Sequence, residues 1–174
     1  RVYRKLKKIS KGRFAILNDV LLPLYNNYTQ IDHVVIGPFG VVCIETKNHS
    51  GYITGGMNDI YWIQRIGRKK HKLYNPLAQN NTHCLAVKYF LKEENLFHVP
   101  ICNLVVFSSD HVSVNLKENN LPVIPLSYLK KFFKKNLENR DVNVEEVFAV
   151  IKKYNIIDKK TRRRHIQRLK EAYQ

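Results

Sequence analysis

Two carboxylates and a lysine lie in apolar stretches of this chain that would ordinarily exclude charged groups. Asp32 belongs to the apolar run that ends at Ile36, and Glu45 and Lys47 end the apolar run that begins at Val41. Charged side chains in such strands are costly unless they are paired with each other or bound to a metal. The pattern therefore indicates either a stored ion pair or a site of chemistry.

The two apolar runs predict a β-hairpin around the turn sequence of residues 37–40, Gly-Pro-Phe-Gly. Continuing the strand pairing outward from this turn brings Asp32 directly opposite Glu45. The next pair on the same face of the hairpin is Gln30 with Lys47. Directly opposed Cβ atoms lie about 4.5–5.5 Å apart, so the two carboxylates are close enough to share a divalent cation.

The residue types at this position suit hydrolysis of a phosphodiester bond. Mg²⁺ takes oxygen ligands, commonly one or two carboxylates together with substrate phosphate. Asp32, Glu45 and the backbone carbonyl of Thr46 are the oxygen donors that we predict for Mg²⁺ or Mn²⁺. The Lys47 ammonium would stabilise the attacking water or the charge on the phosphate. The alternative is a purely structural Asp–Lys pair, because ion-pair networks imitate such sites.

The residues around this cluster resemble the nuclease-related domain (NERD), a family of the PD-(D/E)xK, restriction-endonuclease-like superfamily. The resemblance covers about residues 1–91 and implies Asp32 and Glu45 as metal ligands, Lys47 as the catalytic lysine and Gln79 as a residue that lines the site. It is carried by an ordered series of segments: Asn18–Val20, Thr29–Val35, Gly40–Asn48, Gly51–Ile53, Trp62 and Asn75–Gln79.

One feature departs from the pattern of this superfamily. Related nuclease cores place a further acidic residue, often Glu, on the first helix, whereas residues 1–10 contain none. We expect this acid either upstream of Arg1 or absent, which would leave the site with one ligand fewer. The second option favours an alternative function, a catalytically inactive nucleic-acid-binding module with the same fold.

The charge of the chain predicts a polyanionic partner. Lys and Arg number 30 against 14 Asp and Glu, a formal net charge of +16, and such an excess fits nucleic acid, for which we expect DNA. An anionic membrane surface, read by a scaffold domain of a larger protein, is the other option, since basic patches do not distinguish lipid from nucleic acid. The predicted nucleic-acid contacts are Arg4, Lys5 and Lys8 on the first helix and Arg68, Lys69 and Lys70 in a loop or hairpin tip.

The order of elements predicts an α/β domain with a mixed central sheet flanked by helices. Asn75-Pro76 is a helix start, with Asn as the N-cap residue and Pro at the first helical position. Residues 99–107 predict a strand buried on both faces. Trp62 is expected to pack within the sheet, and His83 to be a partly exposed helical residue. We predict a nuclease-like core over residues 1–136 and, over residues 137–174, a helical extension packed on it, with helices at 144–154 and 162–173.

Several other classes of protein are disfavoured by the sequence. No apolar run approaches the roughly 20 residues that span a bilayer. Three cysteines without CxxC spacing predict free thiols in a reducing compartment. We therefore expect a cytoplasmic protein, with an upstream membrane anchor as the alternative. No glycine-rich phosphate loop is present, which argues against nucleotide hydrolysis.

Overall fold

A computed structural model describes residues 1–135 and 137–172. Within these ranges the chain forms nine strands, five α-helices and a short 3-10 turn at Leu126–Tyr128. The helices are α1 (Val2–Ser10), α2 (Pro76–Glu93), α3 (Leu129–Lys135), α4 (Val144–Tyr154) and α5 (Lys159–Ala172). The strands are β1 (Ala15–Leu24), β2 (Asn27–Gly37), β3 (Gly40–Lys47), β4 (Gly51–Gly55), β5 (Tyr61–Ile66), β6 (Lys69–Tyr74), β7 (Ile101–Phe107), β8 (Val112–Leu116) and β9 (Val123–Pro125).

The strands form two mixed sheets, of which the larger is the predicted mixed central sheet. The first sheet has the order β1-β2-β3-β7-β9, and the second has the order β6-β5-β4-β8. The chain leaves the first sheet after Lys47 and enters the second at Gly51, which has a positive φ of 81°. A Cβ atom at Gly51 would lie 2.4 Å from the carbonyl oxygen of Arg65, so only glycine fits this turn. The α/β class itself is confirmed and is consistent with a restriction-endonuclease-like fold.

The hairpin of β2 and β3 has the predicted register. Ile36 pairs with Val41 across the turn, and the ladder continues as far as His33 with Ile44. Beyond β3 the sheet is parallel, because β7 pairs with β3 and β9 pairs with β7 in the same direction. The chain therefore crosses from β3 through α2 to the parallel strand β7, with strands β4, β5 and β6 of the second sheet inserted before the helix.

The hydrophobic core has a layer on each face of the first sheet. Val34 and Cys43 point to the layer formed with α2 and α4, whereas Val35 and Val42 point to the layer formed with α1 and α3. Alternate residues of a strand share a face, so Asp32, like Val34, belongs to the α2 side. The predicted charged cluster therefore lies under α2, at the end of the hairpin far from its turn.

Some elements differ from the sequence prediction. Lys69–Tyr74 is a strand paired with β5, so the basic tip is reduced to the turn at residues 67–68. Strand β8, which pairs in parallel with β4, was not predicted. Helix α5 begins at Lys159. Residue 173, the predicted end of this helix, lies outside the described residues, and so do residue 136 of the predicted core and residue 174 of the predicted extension. No helix in the part of the chain described has the length and apolar character needed to cross a bilayer.

Candidate functional site

Strands β2 and β3 bring Asp32 and Thr46 together where their backbone ladder stops. The backbone N–H of Thr46 donates a hydrogen bond of 2.7 Å to Oδ2 of Asp32. The Asp32 carboxylate thus accepts a hydrogen bond that a backbone carbonyl of β2 would accept in a continuous ladder. Both backbone groups of a strand residue face the same neighbouring strand, so the Thr46 carbonyl is also directed towards β2. Asp32 and this carbonyl, the predicted ligand pair, therefore lie together at the end of β2 and β3 that is far from the hairpin turn.

Glu45 is buried, with 4% of its surface exposed, and it has a cationic partner. Its Oε1 lies 2.8 Å from Nζ of Lys47. Its Oε2 lies 3.3 Å from Nε2 of His83, without the alignment of a regular hydrogen bond. The fold therefore encloses this carboxylate between two nitrogen groups, one from its own strand and one from α2.

Helix α2 supplies two polar side chains to the cluster, and they lie four residues apart. The Lys47 ammonium donates a 2.8 Å hydrogen bond to Oε1 of Gln79. Nδ1 of His83 lies 2.6 Å from Oγ1 of Thr29, a hydrogen bond between two buried side chains. The prediction that His83 is a partly exposed helical residue is therefore wrong. The signal for its role was its spacing, since residues i and i+4 of a helix share a face with each other.

Two asparagines fix the position of α2 over the strands. The side-chain oxygen of Asn75 accepts from the backbone N–H groups of Leu77 and Ala78, as predicted for the N-cap residue. Asn80 is fully buried, and its Nδ2 donates to the carbonyl oxygen of Cys43 at 2.9 Å and to Oδ1 of Asn103 at 2.7 Å. The bonds of Asn80 tie the helix to β3 and β7, and so place Gln79 and its neighbours over the hairpin.

The two carboxylates have pKa values that shift in opposite directions. Burial, and then the charge of Glu45, raises the pKa of Asp32 above its usual value. Burial also acts to raise the pKa of Glu45, but His83 and Lys47 together lower it below its usual value. Glu45 is thus held as a carboxylate, whereas Asp32 has a charge that its surroundings compensate less well. A cation beside Asp32 would supply that compensation.

A cavity of about 400 Å³ opens onto these carboxylates. Its wall includes residues from α5, a helix for which the sequence suggested no part in the site. His165 is almost fully buried there, packs edge-on against Tyr28, and has an Nδ1 atom with no hydrogen-bond partner among the residues that the structure describes. The cavity is lined by Tyr28, Thr29, Gln30, Asp32, Glu45, Tyr74, Gln79, Thr82, His83, His165 and Leu169.

Arg162 anchors α5 beside the cavity. Its guanidinium forms an ion pair with the side chain of Asp19 and donates to the carbonyl oxygens of Asp19 and Ile156. Asp19 has a positive φ of 54°, unusual for a residue within a strand. It also accepts a hydrogen bond from the Gln30 side chain. Gln30 therefore lines the cavity, with its amide bound to Asp19.

The donor set fits Mg²⁺ better than it fits a transition metal. Within residues 1–135 and 137–172, no group of three or more His, Cys, Asp and Glu side chains is arranged to hold a metal ion. The two carboxylates, Asp32 and Glu45, and the carbonyl of Thr46 offer hard oxygen atoms only. Mg²⁺ is commonly bound by one or two carboxylates plus water and substrate phosphate. The residues present are compatible with that mode of binding.

The predicted nucleic-acid contacts do not surround this cavity. Arg4, Lys5 and Lys8 lie on α1, which packs on the opposite face of the first sheet. Arg68 is exposed in the turn between β5 and β6, and Lys69 and Lys70 are exposed at the start of β6. Tyr74, at the other end of β6, is the residue of that strand that reaches the cavity. The structure thus brings together the predicted catalytic residues and separates them from most of the predicted basic contacts.

Comparisons with known proteins agree with this arrangement. Residues 1–108 match NERD, the nuclease-related domain. The chain is 30% identical to an uncharacterized protein of Bacillus anthracis, over 99% of this chain and 82% of that protein. No solved structure shows a significant match. Because the family match covers more than half of the chain and includes both strands of the charged hairpin, the chain belongs to the nuclease-related domain family.

Proposed function

We propose that the protein is a metal-dependent nuclease that hydrolyses phosphodiester bonds of nucleic acid, with DNA as the expected substrate. The observation that supports this most is the meeting of Asp32, Glu45 and the Thr46 backbone with the Lys47 ammonium at one end of the hairpin. Membership of the nuclease-related domain family supports the same reaction class. Asp32, Glu45 and the Thr46 carbonyl would hold Mg²⁺ or Mn²⁺.

The roles of the side chains follow from their contacts. A bound divalent ion would polarise the attacking water and neutralise charge on the phosphate. Lys47 already has its ammonium fixed between Glu45 and Gln79, so its charge is positioned before substrate arrives. His83, supported by Thr29, holds Glu45 from the other side. Gln79 therefore acts on the reaction through Lys47, as a positioning residue.

The test is cleavage by the Lys47→Ala variant in Mg²⁺. We expect its cleavage rate to fall by about a hundredfold or more, with nucleic-acid binding and thermal unfolding close to those of the wild type. Cleavage of labelled single-stranded DNA, double-stranded DNA and RNA is followed on gels, and binding is measured in EDTA. Lys88→Ala, an exposed lysine on α2, is the matched control. Full cleavage by the Lys47 variant would overturn the catalytic assignment.

A catalytically inactive nucleic-acid-binding module is the second candidate. The observation that favours it is the Lys47–Glu45 ion pair, which can be purely structural. In addition, α1 carries no acidic residue in its first turn that could complete a ligand set. Calorimetric titration with Mn²⁺ separates the two candidates. A nuclease binds the ion and loses that binding in Asp32→Asn, whereas an inactive module shows no such site and keeps its salt-dependent affinity for polyanions.

Partner and location are further proposals. Nucleic acid is the partner that we propose, and competition between DNA and anionic vesicles tests it against the membrane-surface or scaffold alternative. We also propose a cytoplasmic location. Its support is that Cys43, Cys84 and Cys102 are all free thiols, with Cys43 fully buried.

A further inference from the structure

The second sheet exposes one face that carries tyrosines between basic side chains. The register pairs Tyr61 with Tyr74 and Arg65 with Lys70, and it pairs Tyr52 with Arg65 on the next strand. Directly paired residues point to the same face of a sheet. We call this surface the tyrosine face. It comprises Tyr52, Tyr61, Tyr74, Arg65, Lys70 and Lys72 together with the uncharged residues between them.

The two faces of this sheet differ in what covers them. The inward residues, among them Ile53, Trp62 and Leu73, pack in the core with β7. On the tyrosine face, by contrast, Tyr61 is 51% exposed, Tyr74 45% and Tyr52 39%. Large exposed aromatic side chains grouped on one surface are typical of a binding site rather than of ordinary solvent-facing sheet.

The charge of the tyrosine face selects an anionic ligand. Its three charged positions on β5 and β6 are Arg65, Lys70 and Lys72, and the strand residues described on this face include no acidic side chain. Nζ of Lys72 lies 5.7 Å from the centre of the Tyr61 ring. A phosphate held by this ammonium would therefore place its base beside an aromatic ring, which is the pairing that nucleic acid offers.

The arrangement of the rings favours unpaired bases. Tyr61 and Tyr74 meet edge to face with ring centres 6.2 Å apart. Tyr52 lies four residues further along the sheet, about 13 Å away by the strand rise. Four-stranded sheets that present aromatic rings in this way can stack two or three bases of a single strand. Bases inside a duplex are stacked on each other and cannot lie on the rings.

Tyr74 connects this surface with the candidate site, because it lies on the tyrosine face and also lines the cavity with Asp32 and Glu45. We propose that the tyrosine face is a base-stacking platform for single-stranded nucleic acid, which leads the strand past Tyr74 into the cavity. The direction of the strand rests on the proposed nuclease function, whereas binding by the platform does not.

The experiment measures binding without cleavage. A fluorescein-labelled 15-nucleotide single strand, and the same sequence as a duplex, are titrated in EDTA with full-length Lys47→Ala protein, and anisotropy is recorded. Tyr61→Leu and Tyr52→Leu keep a bulky side chain but remove the ring. Each is expected to weaken single-strand binding by about tenfold, and Tyr61→Phe, which keeps the ring, is expected to restore it.

Matched controls separate stacking from general effects. Tyr89 on α2 is 56% exposed, close to the exposure of Tyr61, and Tyr89→Leu is expected to bind as the parent protein does. Lys72→Ala is expected to reduce the slope of log affinity against log salt by about 0.7, the value for one phosphate of a single strand. Thermal unfolding confirms that each variant is folded.

Three results would overturn the platform. In the first, both leucine variants bind the single strand as tightly as the parent protein. In the second, the duplex binds as tightly as the single strand and is weakened equally by the variants. In the third, binding to anionic vesicles depends on the same tyrosines, which would mean that the surface binds lipid. If wild-type protein in Mg²⁺ cleaves nothing while single-strand binding still depends on the tyrosines, the nuclease proposal fails and the platform stands.

Discussion

At the scale of single residues, Glu45 shows how the fold keeps a carboxylate charged in an apolar setting. It is more deeply buried than Asp32 or Lys47. The loss of hydration is offset by the Lys47 ammonium at 2.8 Å and by the His83 imidazole at 3.3 Å. His83 in turn is held by Thr29. This chain of contacts crosses from β3 to α2 and back to β2, so it fixes the carboxylate relative to both strands.

The first prediction concerns His83. In His83→Ala the Glu45 carboxylate loses its partner on α2, and Thr29 loses its hydrogen bond. Residues that orient a metal ligand typically change metal affinity by 10- to 100-fold, so we expect Mn²⁺ affinity to fall by about that factor. Calorimetric titration measures it. His98→Ala, an exposed histidine, should leave the affinity unchanged; equal Mn²⁺ affinity in both variants would show that His83 does not support the site.

The residue scale also shows what sequence reasoning can and cannot reach. Asp32, Glu45 and Lys47 stood out because charge in an apolar strand is anomalous, and the predicted register of their hairpin is confirmed. His83 carried no such anomaly, since a histidine on a helix is ordinary. His165 lies far from the charged hairpin along the sequence, and only tertiary packing of α5 brings it to the cavity wall.

At the scale of elements, α2 is the helix that links the site to the rest of the protein. At its start, Asn75 caps the helix, and Asn80 ties it to β3 and β7. Past its last turn, Glu94 accepts hydrogen bonds from Nζ of Lys153 at 2.7 Å and from the Tyr154 hydroxyl at 2.6 Å, both at the end of α4. The helix is therefore fixed at both ends, by buried amides at one and by an exposed ionic contact at the other.

The second prediction follows from the pKa of Glu94. Hydrogen bonds from Lys153 and Tyr154 lower this pKa below its ordinary value of 4.5. Glu94 therefore adds stability that is fully present above pH 4.5 and is lost as the pH falls through the folded-state pKa. Glu94→Gln should lower Tm at neutral pH, and the difference from wild type should shrink below pH 4.5. Glu93→Gln, the adjacent exposed residue, is the control; a difference that stays constant with pH would contradict the assignment.

Elements with strong local signals were predictable, and elements that depend on distant partners were not. The Asn-Pro start of α2 and the apolar run of β7 both gave the expected structures. The sequence of β6, Lys-Lys-His-Lys-Leu-Tyr, predicts a basic loop because it has little apolar alternation. The segment is a strand because β5 supplies its hydrogen-bond partners. The short strand β8 likewise exists because β4 is beside it.

At the scale of the whole molecule, positive charge is gathered in more than one place. Besides the tyrosine face, a groove of about 630 Å³ lies between α1 and α3 on the far side of the first sheet. Stacking of Phe133 on Phe14, which also contacts Phe39, places this groove towards the hairpin turn. Strand β3 runs about 25 Å from that turn to Lys47. The groove is lined by Lys5, Lys8, Ile9, Lys11, Arg13, Lys130 and Lys134.

The third prediction is that this groove adds affinity for long polyanions without taking part in cleavage. Lys130→Glu with Lys134→Glu should weaken binding of long DNA. The slope of log affinity against log salt should fall by the amount expected for the loss of about one to two phosphate contacts. Cleavage of a short oligonucleotide should be unchanged, because the groove lies on the other face of the sheet from Asp32. Lys88→Glu with Lys92→Glu, the same spacing on α2, is the control; equal loss in both pairs would mean that only total charge matters.

The hydrogen bonds at the open edge of β1 bear on how this protein can be shortened. The Leu21 N–H donates to Oδ1 of Asn155, and the Ile156 N–H donates to the Leu21 carbonyl oxygen. Residues after α4 thus occupy a strand edge that could otherwise pair with another chain. The family match ends at residue 108. The matched part therefore ends before the residues that cover this edge, so expression of residues 1–108 alone would expose it and invite aggregation.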